Sequence, residues 1–383
     1  MHPGSSEKPC SNLKPLSNLS HPLEVIRQFT PNWFTVNMGT GILALALVQF
    51  PIQFPGLGLI AEALWLFNIV LFILFSGLYL ARWVIYFDEA RRIFGHSTVS
   101  MFFGAIPMGL AVIINGFLAF GVPRWGMDVI PIAECLWWLD VGLSLMCGVV
   151  IPYMMFTRQQ HSLDQMTGVW LLPVVAAEVA ATSGGLLAPY LGDADLQLRV
   201  IVTSYVLWAY SVPVAFSILS ILLLRMALHK LPHENMAASC WLALGPIGTG
   251  AMGMLVIGGN MPALTLASSL THSGEMAVGI GLILGMVLWG CGLWWFLMAL
   301  LITRRYFRNR VPFNLGWWAY TFPLGVYSLA TLKLGAILNL AFFKIFGAIL
   351  VIALLILWLI VVSRTLAGAY RGTLFVSPCI AEN

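Results

Sequence analysis

Ten apolar stretches, each close to the roughly 20 residues that cross a bilayer as a helix, constrain this chain more than any other feature. They cover residues 31–50, 57–86, 100–120, 129–156, 168–190, 198–226, 237–258, 273–303, 316–336 and 341–368. The composition agrees, because 60% of the residues are hydrophobic and only 9% are charged. Such a composition is typical of polytopic membrane proteins and excludes an ordinary soluble domain. We therefore predict an all-α polytopic membrane protein with ten transmembrane helices.

The distribution of lysine and arginine predicts the topology, because these residues concentrate in the cytoplasmic loops of membrane proteins. With ten spans, 15 of the 19 basic residues fall on the side that holds both termini. The other side holds Arg124, Arg199, Lys333 and Lys344. We predict that both termini are cytoplasmic. The domains expected are a mobile N-terminal tail at 1–28, a ten-helix transmembrane domain at 29–370 and a short C-terminal tail at 371–383.

An internal repeat runs through the odd-numbered stretches: an aromatic residue, then a helix breaker, one apolar residue and a glycine. It reads Asn37-Met38-Gly39, Pro107-Met108-Gly109, Pro246-Ile247-Gly248 and Pro323-Leu324-Gly325, with Pro173-Val174-Val175 at the remaining place. Successive copies lie 66 to 77 residues apart, which fits two membrane helices with their loops. The repeat predicts five helical hairpins whose first helices are kinked at Asn37, Pro107, Pro173, Pro246 and Pro323.

Five broken helices predict a central pore. A proline inside a helix frees a backbone carbonyl, and in lipid a freed group is tolerated only where it faces protein or a water-filled cavity. We therefore place the five kinked helices inside, around a central pore, and the smoother even-numbered helices outside. A membrane receptor or scaffold is the alternative class, but a bundle without a path gains nothing from five broken helices.

Five long segments carry a family resemblance. They are FTPNWFTVNMGTGI (29–42), WLLPVVAAEVAATSGG (170–185), LGPIGTGAMG (244–253), FNLGWWAYTFPLGVYSLATLKLG (313–335) and GTLFVSPC (372–379). These segments resemble the tellurite-resistance/dicarboxylate transporter family, most closely its sulfite efflux pumps and malate permeases, and more distantly the plant slow anion channels. The resemblance implies ten helices with five around a pore, a homotrimer, and small anions as cargo. It also implies that Phe322 is the pore-blocking phenylalanine, although the same ring could simply pack between helices.

Charged and polar residues on the odd-numbered stretches are the candidates for the substrate pathway. They are Glu178, Lys333, Thr40, Thr249, Asn115 and Ser183, with Asn37 also polar at an inner position. Lys333 could attract an anion or extend to the membrane interface. Glu178 could carry a proton, pair with Lys333, or only hold two helices together. The hydroxyls and amides could donate to an anion or tie helices to one another, and Asp140 on an outer helix is expected to cap or pair.

The function predicted is transmembrane anion transport, with sulfite leaving the cell through a phenylalanine-gated pore in the plasma membrane. The alternative is a proton-coupled carrier of C4-dicarboxylates such as malate. We expect no enzyme activity, metal, cofactor or nucleic-acid partner, since the chain has no glycine-rich phosphate loop. His229 and His233 have a metal-like spacing, but Pro232 lies between them. The partners expected are the small anion and the lipid bilayer.

Overall fold

The computed structural model of this chain describes residues 15–261, 272–309 and 311–381. Ten helices of 12 residues or more, named α1 to α10 in chain order, lie in these ranges. They are Phe34–Val48, Leu57–Ile85, Ala105–Gly116, Ile130–Thr157, Leu172–Leu187, Ala194–His229, Leu244–Asn260, Ser273–Tyr306, Phe322–Leu338 and Ala341–Arg371. No strand occurs in the described ranges, so the all-α architecture is confirmed.

Eight helical runs within the described ranges are long and apolar enough to cross a bilayer. One of them, Val99–Thr157, contains two of the predicted spans, 100–120 and 129–156. In the first predicted span, 31–50, α1 itself has only 15 residues. A polytopic membrane fold is therefore confirmed, whereas the number of ten separate spans stays a prediction.

The helices form two layers that differ in burial. The inner layer consists of α1, α3, α5, α7 and α9, and 14 of the 15 residues of α1 are buried. The outer layer consists of α2, α4, α6, α8 and α10, and only seven of the 31 residues of α10 are buried. Large apolar side chains on the outer layer, such as Ile73, Ile283 and Ile349, are exposed. A helix that is apolar all round and half exposed suits contact with lipid.

The five inner helices form a closed ring. Contacts run from α1 to α3, α3 to α5, α5 to α7, α7 to α9, and from α9 back to α1. Each inner helix also packs against the outer helix that follows it in the chain. The predicted arrangement of five hairpins with their first helices around a common axis is thereby confirmed.

Each inner helix begins with a 3₁₀ segment that precedes the α-helix. These segments are Pro31–Trp33, Val99–Gly104, Gly168–Leu171, Glu234–Trp241 and Leu315–Tyr320. The longest inner α-helices, α7 and α9, have 17 residues each. At a rise of 1.5 Å per residue they cover about 25 Å, less than the roughly 30 Å of bilayer hydrocarbon. The more extended 3₁₀ segments therefore complete the span.

The residues predicted to kink the inner helices lie at a different place from the one expected. Pro173 and Pro323 are the second residues of α5 and α9, Pro107 and Pro246 are the third residues of α3 and α7, and Asn37 is the fourth residue of α1. Proline is tolerated in the first turn because the amide it lacks has no partner within the helix there. These residues therefore mark the start of an α-helix and not a bend in its middle.

Prolines inside long helices occur on the outer layer instead. Pro152 lies within α4 and Pro213 within α6. Two of the smoother outer helices thus also carry one interior proline each.

Two glycines allow the starts of neighbouring inner helices to touch through their backbones. A Cβ added to Gly104 would overlap the carbonyl group of Leu172, at the start of α5. A Cβ added to Gly168 would overlap the carbonyl oxygen of Ser239, in the 3₁₀ segment before α7. Small residues permit this close approach between membrane helices. Neighbouring inner segments are therefore in direct backbone contact at these two positions.

Residues 15–28, part of the predicted mobile tail, make specific contacts. The amide of Leu16 donates to the carbonyl of Tyr370 at 2.7 Å, and a short helix follows at Glu24–Arg27. The Nε and Nη2 atoms of Arg27 each donate to the carboxylate of Glu89 at 2.8 Å. The described part of the tail is therefore packed against the membrane domain, while residues 1–14 lie outside the described residues.

The close approach at Gly104 yields a first prediction. Gly104→Ala should lower the thermal unfolding temperature in detergent, because overpacking against a backbone costs about 1–3 kcal/mol. Gly142→Ala is the matched control, since nothing lies within 4 Å of a Cβ at that exposed position of α4. An equal unfolding temperature for the two variants would contradict the backbone contact.

The Arg27–Glu89 pair yields a prediction about pH. The hydrogen bond from Arg27 holds the pKa of Glu89 below its usual value, so the pair stabilises the fold above that usual value and loses this contribution as the pH falls. Glu89→Gln should weaken amide-exchange protection of residues 16–28 by about 1 kcal/mol at neutral pH. The difference from the native chain should vanish on acidification below about pH 4. A pH-independent difference would show that the pair does not anchor the tail.

Candidate functional site

A cavity lies inside the ring, and all five inner helices contribute to its wall. This central cavity has a volume of about 180 Å³. It is lined by Ile42, Leu45, Gln49, Val112, Asn115, Leu118, Ala119, Val179, Thr182, Leu186, Tyr190, Thr249, Met252, Phe322, Val326 and Leu329. Most of these side chains are apolar, with a few hydroxyl and amide groups among them.

A second cavity lies where the inner helices begin. This entrance cavity has a volume of about 380 Å³ and is bordered by all five 3₁₀ segments or by the residues beside them. Its polar lining residues are Asn32, Thr35, Thr98, Asn235, Ser239 and Asn314. Pro378 of the C-terminal segment also lines it. That segment is held nearby, because Phe375 stacks on Trp33 with 4.9 Å between the ring centroids.

Phe322 stands between the two cavities. It is the one described residue that lines both of them, and it is only 3% exposed. It is the first residue of α9, directly after the 3₁₀ segment Leu315–Tyr320 and Thr321. The break at the start of α9 thus brings a large apolar ring to the boundary between the entrance and central cavities.

No charged side chain lines either cavity within the described residues. The direction of the inner helices compensates in part for the missing positive side chains. All five helices have their N-terminal ends at the entrance cavity. Backbone N–H groups at a helix start lack partners within the helix and carry partial positive charge. Side chains of Thr167, His233 and Asn314 accept from some of these groups. The site combines a cation-free wall with a positive backbone potential.

Two of the predicted pathway residues face the central cavity. Thr249 is 2% exposed, and its Oγ1 has no hydrogen-bond partner among the described residues. The Oδ1 atom of Asn115 is likewise buried without a partner. Both residues line the central cavity. Polar atoms without protein partners on a cavity wall are available to a ligand or to water.

Three other polar candidates face away from the central cavity. Thr40 accepts a hydrogen bond from Nε1 of Trp358 on α10 at 3.2 Å. Ser183 donates to the carbonyl of Val179 in its own helix at 3.1 Å. Asn37 donates to the side-chain oxygen of Asn68 on α2 at 3.1 Å. These residues tie helices together or satisfy their own backbone, which was the alternative considered for them.

The two charged candidates are separated from the path and from each other. Glu178 is fully buried and lies beside Ser211 of outer helix α6, with 3.3 Å between Oε2 and Oγ. Lys333 is half-buried and lines a different cavity of about 230 Å³ between α7, α8 and α9. The ion pairs of the described residues do not include one between Glu178 and Lys333, which was one of three alternatives for Glu178. Asp140, expected to cap or pair, has neither carboxylate oxygen hydrogen-bonded within the described residues.

Comparison with known proteins identifies the family. The family model described as "SLAC1: Voltage-dependent anion channel" matches residues 28–366, which is most of the chain. The chain belongs to the SLAC1 family. This membrane protein therefore belongs to a family described as anion channels.

Curated relatives of this SLAC1-family chain are transporters. The sulfite efflux pump SSU1 of Arthroderma benhamiae is 38% identical over 354 residues, covering 91% of this chain and 93% of the relative. An uncharacterized transporter of Methanocaldococcus jannaschii is 28% identical, covering 92% of this chain and 97% of the relative. The malic acid transport protein of Schizosaccharomyces pombe is 23% identical, covering 88% of this chain and 77% of the relative.

Several polar residues that line the two cavities were missed by sequence reasoning. In the central cavity they are Gln49, Thr182 and Tyr190. Thr182 carried a usable signal, because it follows Val179 by three residues and precedes Leu186 by four, which places all three on one helix face. In the entrance cavity, Thr98 and Asn314 are the N-caps of their 3₁₀ segments, a pattern that the sequence also carried. No group of three or more potential metal ligands occurs among the described residues.

The contrast between Thr249 and Thr40 is testable by chemical labelling. In a chain whose six native cysteines are replaced, Thr249→Cys should react with a small water-soluble thiol reagent about tenfold faster than Thr40→Cys. Thr249 lines the central cavity, whereas Thr40 bonds to Trp358 at the contact with α10. The rates are read by mass spectrometry. Equal rates, or faster labelling at position 40, would contradict the orientation of these two helices.

Proposed function

We propose that this protein exports sulfite through the central axis of the ring, with Phe322 as the gate. The observation that carries the proposal is the position of Phe322 on the boundary of two charge-free cavities. The 38% identity to a sulfite efflux pump over 91% of the chain supports the choice of anion. Phe322 and the donors Asn115 and Thr249 are the functional residues of this proposal.

The gate acts by excluding water. An apolar constriction too narrow for hydrated ions closes a pore, because an anion that enters it loses its hydration shell without gaining donors. Movement of the Phe322 ring would join the entrance and central cavities into one path. The residue follows the junction between a 3₁₀ segment and an α-helix, where a small backbone change moves the side chain.

Selection for anions rests on weak, dispersed donors. The starts of the five inner helices supply partial positive charge at the entrance cavity. Deeper in the path, Oγ1–H of Thr249 and the Nδ2 amide group of Asn115 donate to a passing anion, whereas Oδ1 of Asn115 only accepts. A volume of about 180 Å³ suits a compact anion with a few waters, since one water occupies about 30 Å³. Weak donors favour passage over tight capture.

The proposed direction follows from the basic residues. We assign the side of both termini, and with it the entrance cavity, to the cytoplasm of a cell whose plasma membrane holds the protein. Sulfite then enters from the cytoplasm and leaves through the central cavity. Residues 29–370 form the transport domain in this proposal, and the resemblance to the tellurite-resistance/dicarboxylate transporter family favours a homotrimer.

A malate carrier is the second candidate, supported by the relatedness to a malic acid transport protein at 23% identity. A C4-dicarboxylate is longer than sulfite and carries two charges, so a fixed cation in its path would be expected. Lys333 lies outside both cavities of the axis. The geometry therefore favours the smaller anion.

The test is the flux of sulfite or of malate out of proteoliposomes loaded with that anion. Each flux is measured with and without a proton gradient. Phe322→Ala should raise sulfite flux about tenfold, since removing a barrier of about 1.4 kcal/mol changes a rate by that factor. Phe343→Ala is the matched control, because Phe343 is also buried but lines neither cavity. It should leave sulfite flux within about twofold of the native chain.

Two results would overturn the proposal. Unchanged sulfite flux in correctly folded Phe322→Ala would show that Phe322 is not the gate. Malate flux that exceeds sulfite flux and requires the proton gradient would identify a proton-coupled dicarboxylate carrier instead.

A further inference from the structure

Glu178 is the buried charged residue that the path does not use. It lies on inner helix α5 with 0% exposure and lines neither cavity of the axis. Its side chain is directed to outer helix α6, where Oε2 lies 3.3 Å from Oγ of Ser211. The other carboxyl oxygen, Oε1, has no hydrogen-bond partner among the described residues.

No cation compensates a negative charge at this place. The ion pairs of the described residues do not include Glu178. The packed helices α3 and α7 contain no titratable side chain. Outer helices α4 and α6 contribute the buried Asp140 and Cys147 and the half-buried Tyr205 and Tyr210, and none of these is a cation. An unpaired carboxylate inside a membrane domain is costly.

Counting hydrogens gives the protonation state by a separate route. The hydroxyl of Ser211 has one hydrogen, and at 2.8 Å its Oγ donates it to the carbonyl of Val174. The contact between Ser211 and Glu178 then lacks a hydrogen unless the carboxyl group supplies one. A neutral carboxylic acid has one O–H, which it donates to a lone pair of Ser211 Oγ.

We propose that Glu178 holds a proton permanently and acts as a neutral hydrogen-bond donor that locks inner helix α5 to outer helix α6. It is a positioning residue, because the lock holds α5 in place and α5 also carries Thr182. The Oγ1 of Thr182 donates to the backbone carbonyl of Glu178 at 3.0 Å, lies 3.3 Å from the carbonyl of Thr249, and lines the central cavity. Because the carboxyl group faces away from the path, it does not load and release protons during transport.

Infrared spectroscopy of the full-length protein in lipid tests the protonation state directly. Chains labelled with ¹³C-glutamate should show a carbonyl band of a protonated glutamic acid at neutral and at mildly alkaline pH. Glu178→Gln should remove this band. Asp140→Asn is the matched control, since Asp140 is equally buried and should leave the glutamic acid band in place. Absence of the band in the native chain would overturn the proposal.

Variants separate the lock from a proton carrier. Glutamine is neutral and can donate to Ser211, so Glu178→Gln should retain the unfolding temperature, the sulfite flux and the pH profile of flux. Glu178→Ala and Ser211→Ala should each lower the unfolding temperature by several degrees, and the double variant should add little. A native proton-driven flux that disappears in Glu178→Gln would overturn the lock and identify a proton carrier. Unfolding of Glu178→Gln at the lowered temperature of Glu178→Ala would overturn it as well.

Discussion

A lipid bilayer offers no hydrogen-bond partner to a free backbone group, and the ring of inner helices depends on this constraint. The α-helical parts of the inner layer are short, from the 12 residues of α3 to the 17 of α9. Each is extended by a 3₁₀ segment, and at three of these segments a side chain of Thr167, His233 or Asn314 accepts from a free N–H group. The outer helices shield this irregular layer from lipid.

The same arrangement yields two axial cavities whose described lining has no charged side chain. Because the five inner helices run in parallel, their positive ends gather at the entrance cavity. A lysine or arginine on the wall would add to this potential but would also bind an anion strongly and slow its exit. The described lining instead offers hydroxyls and amides, among them Thr249 and Asn115. Affinity low enough for release is a property that an exporter requires.

The ring and its hairpins could be predicted from the sequence, whereas the direction of each side chain could not. The length of the apolar stretches and the repeat near Pro107, Pro246 and Pro323 are local sequence signals. The structure contains the helices and hairpins that these signals predict. Side-chain direction needs an amphipathic pattern, and a helix such as α1, buried on all sides, has none. Thr40 and Thr249 therefore looked equivalent although one bonds to Trp358 and the other lines the central cavity.

The charged residues illustrate the same limit. A sequence reports that Glu178 and Lys333 lie within apolar stretches, but not which neighbouring helix each one meets. The two residues lie in different parts of the structure. Glu178 lies beside Ser211, and Lys333 lines the cavity between α7, α8 and α9. The prediction that the prolines lie in the middle of a helix was wrong for a related reason. A 3₁₀ segment is as apolar as the α-helix that follows it, so the sequence does not show where the α-helix begins.

The central claim is that anions cross through the cavity that Thr249 lines. The most direct measurement is sulfite flux through Thr249→Cys, in a chain without its native cysteines, before and after complete modification by a bulky thiol reagent. The account predicts that modification reduces flux to the level of empty liposomes, because the adduct fills a cavity of about 180 Å³. Unchanged flux after complete modification would place the path elsewhere and contradict the account.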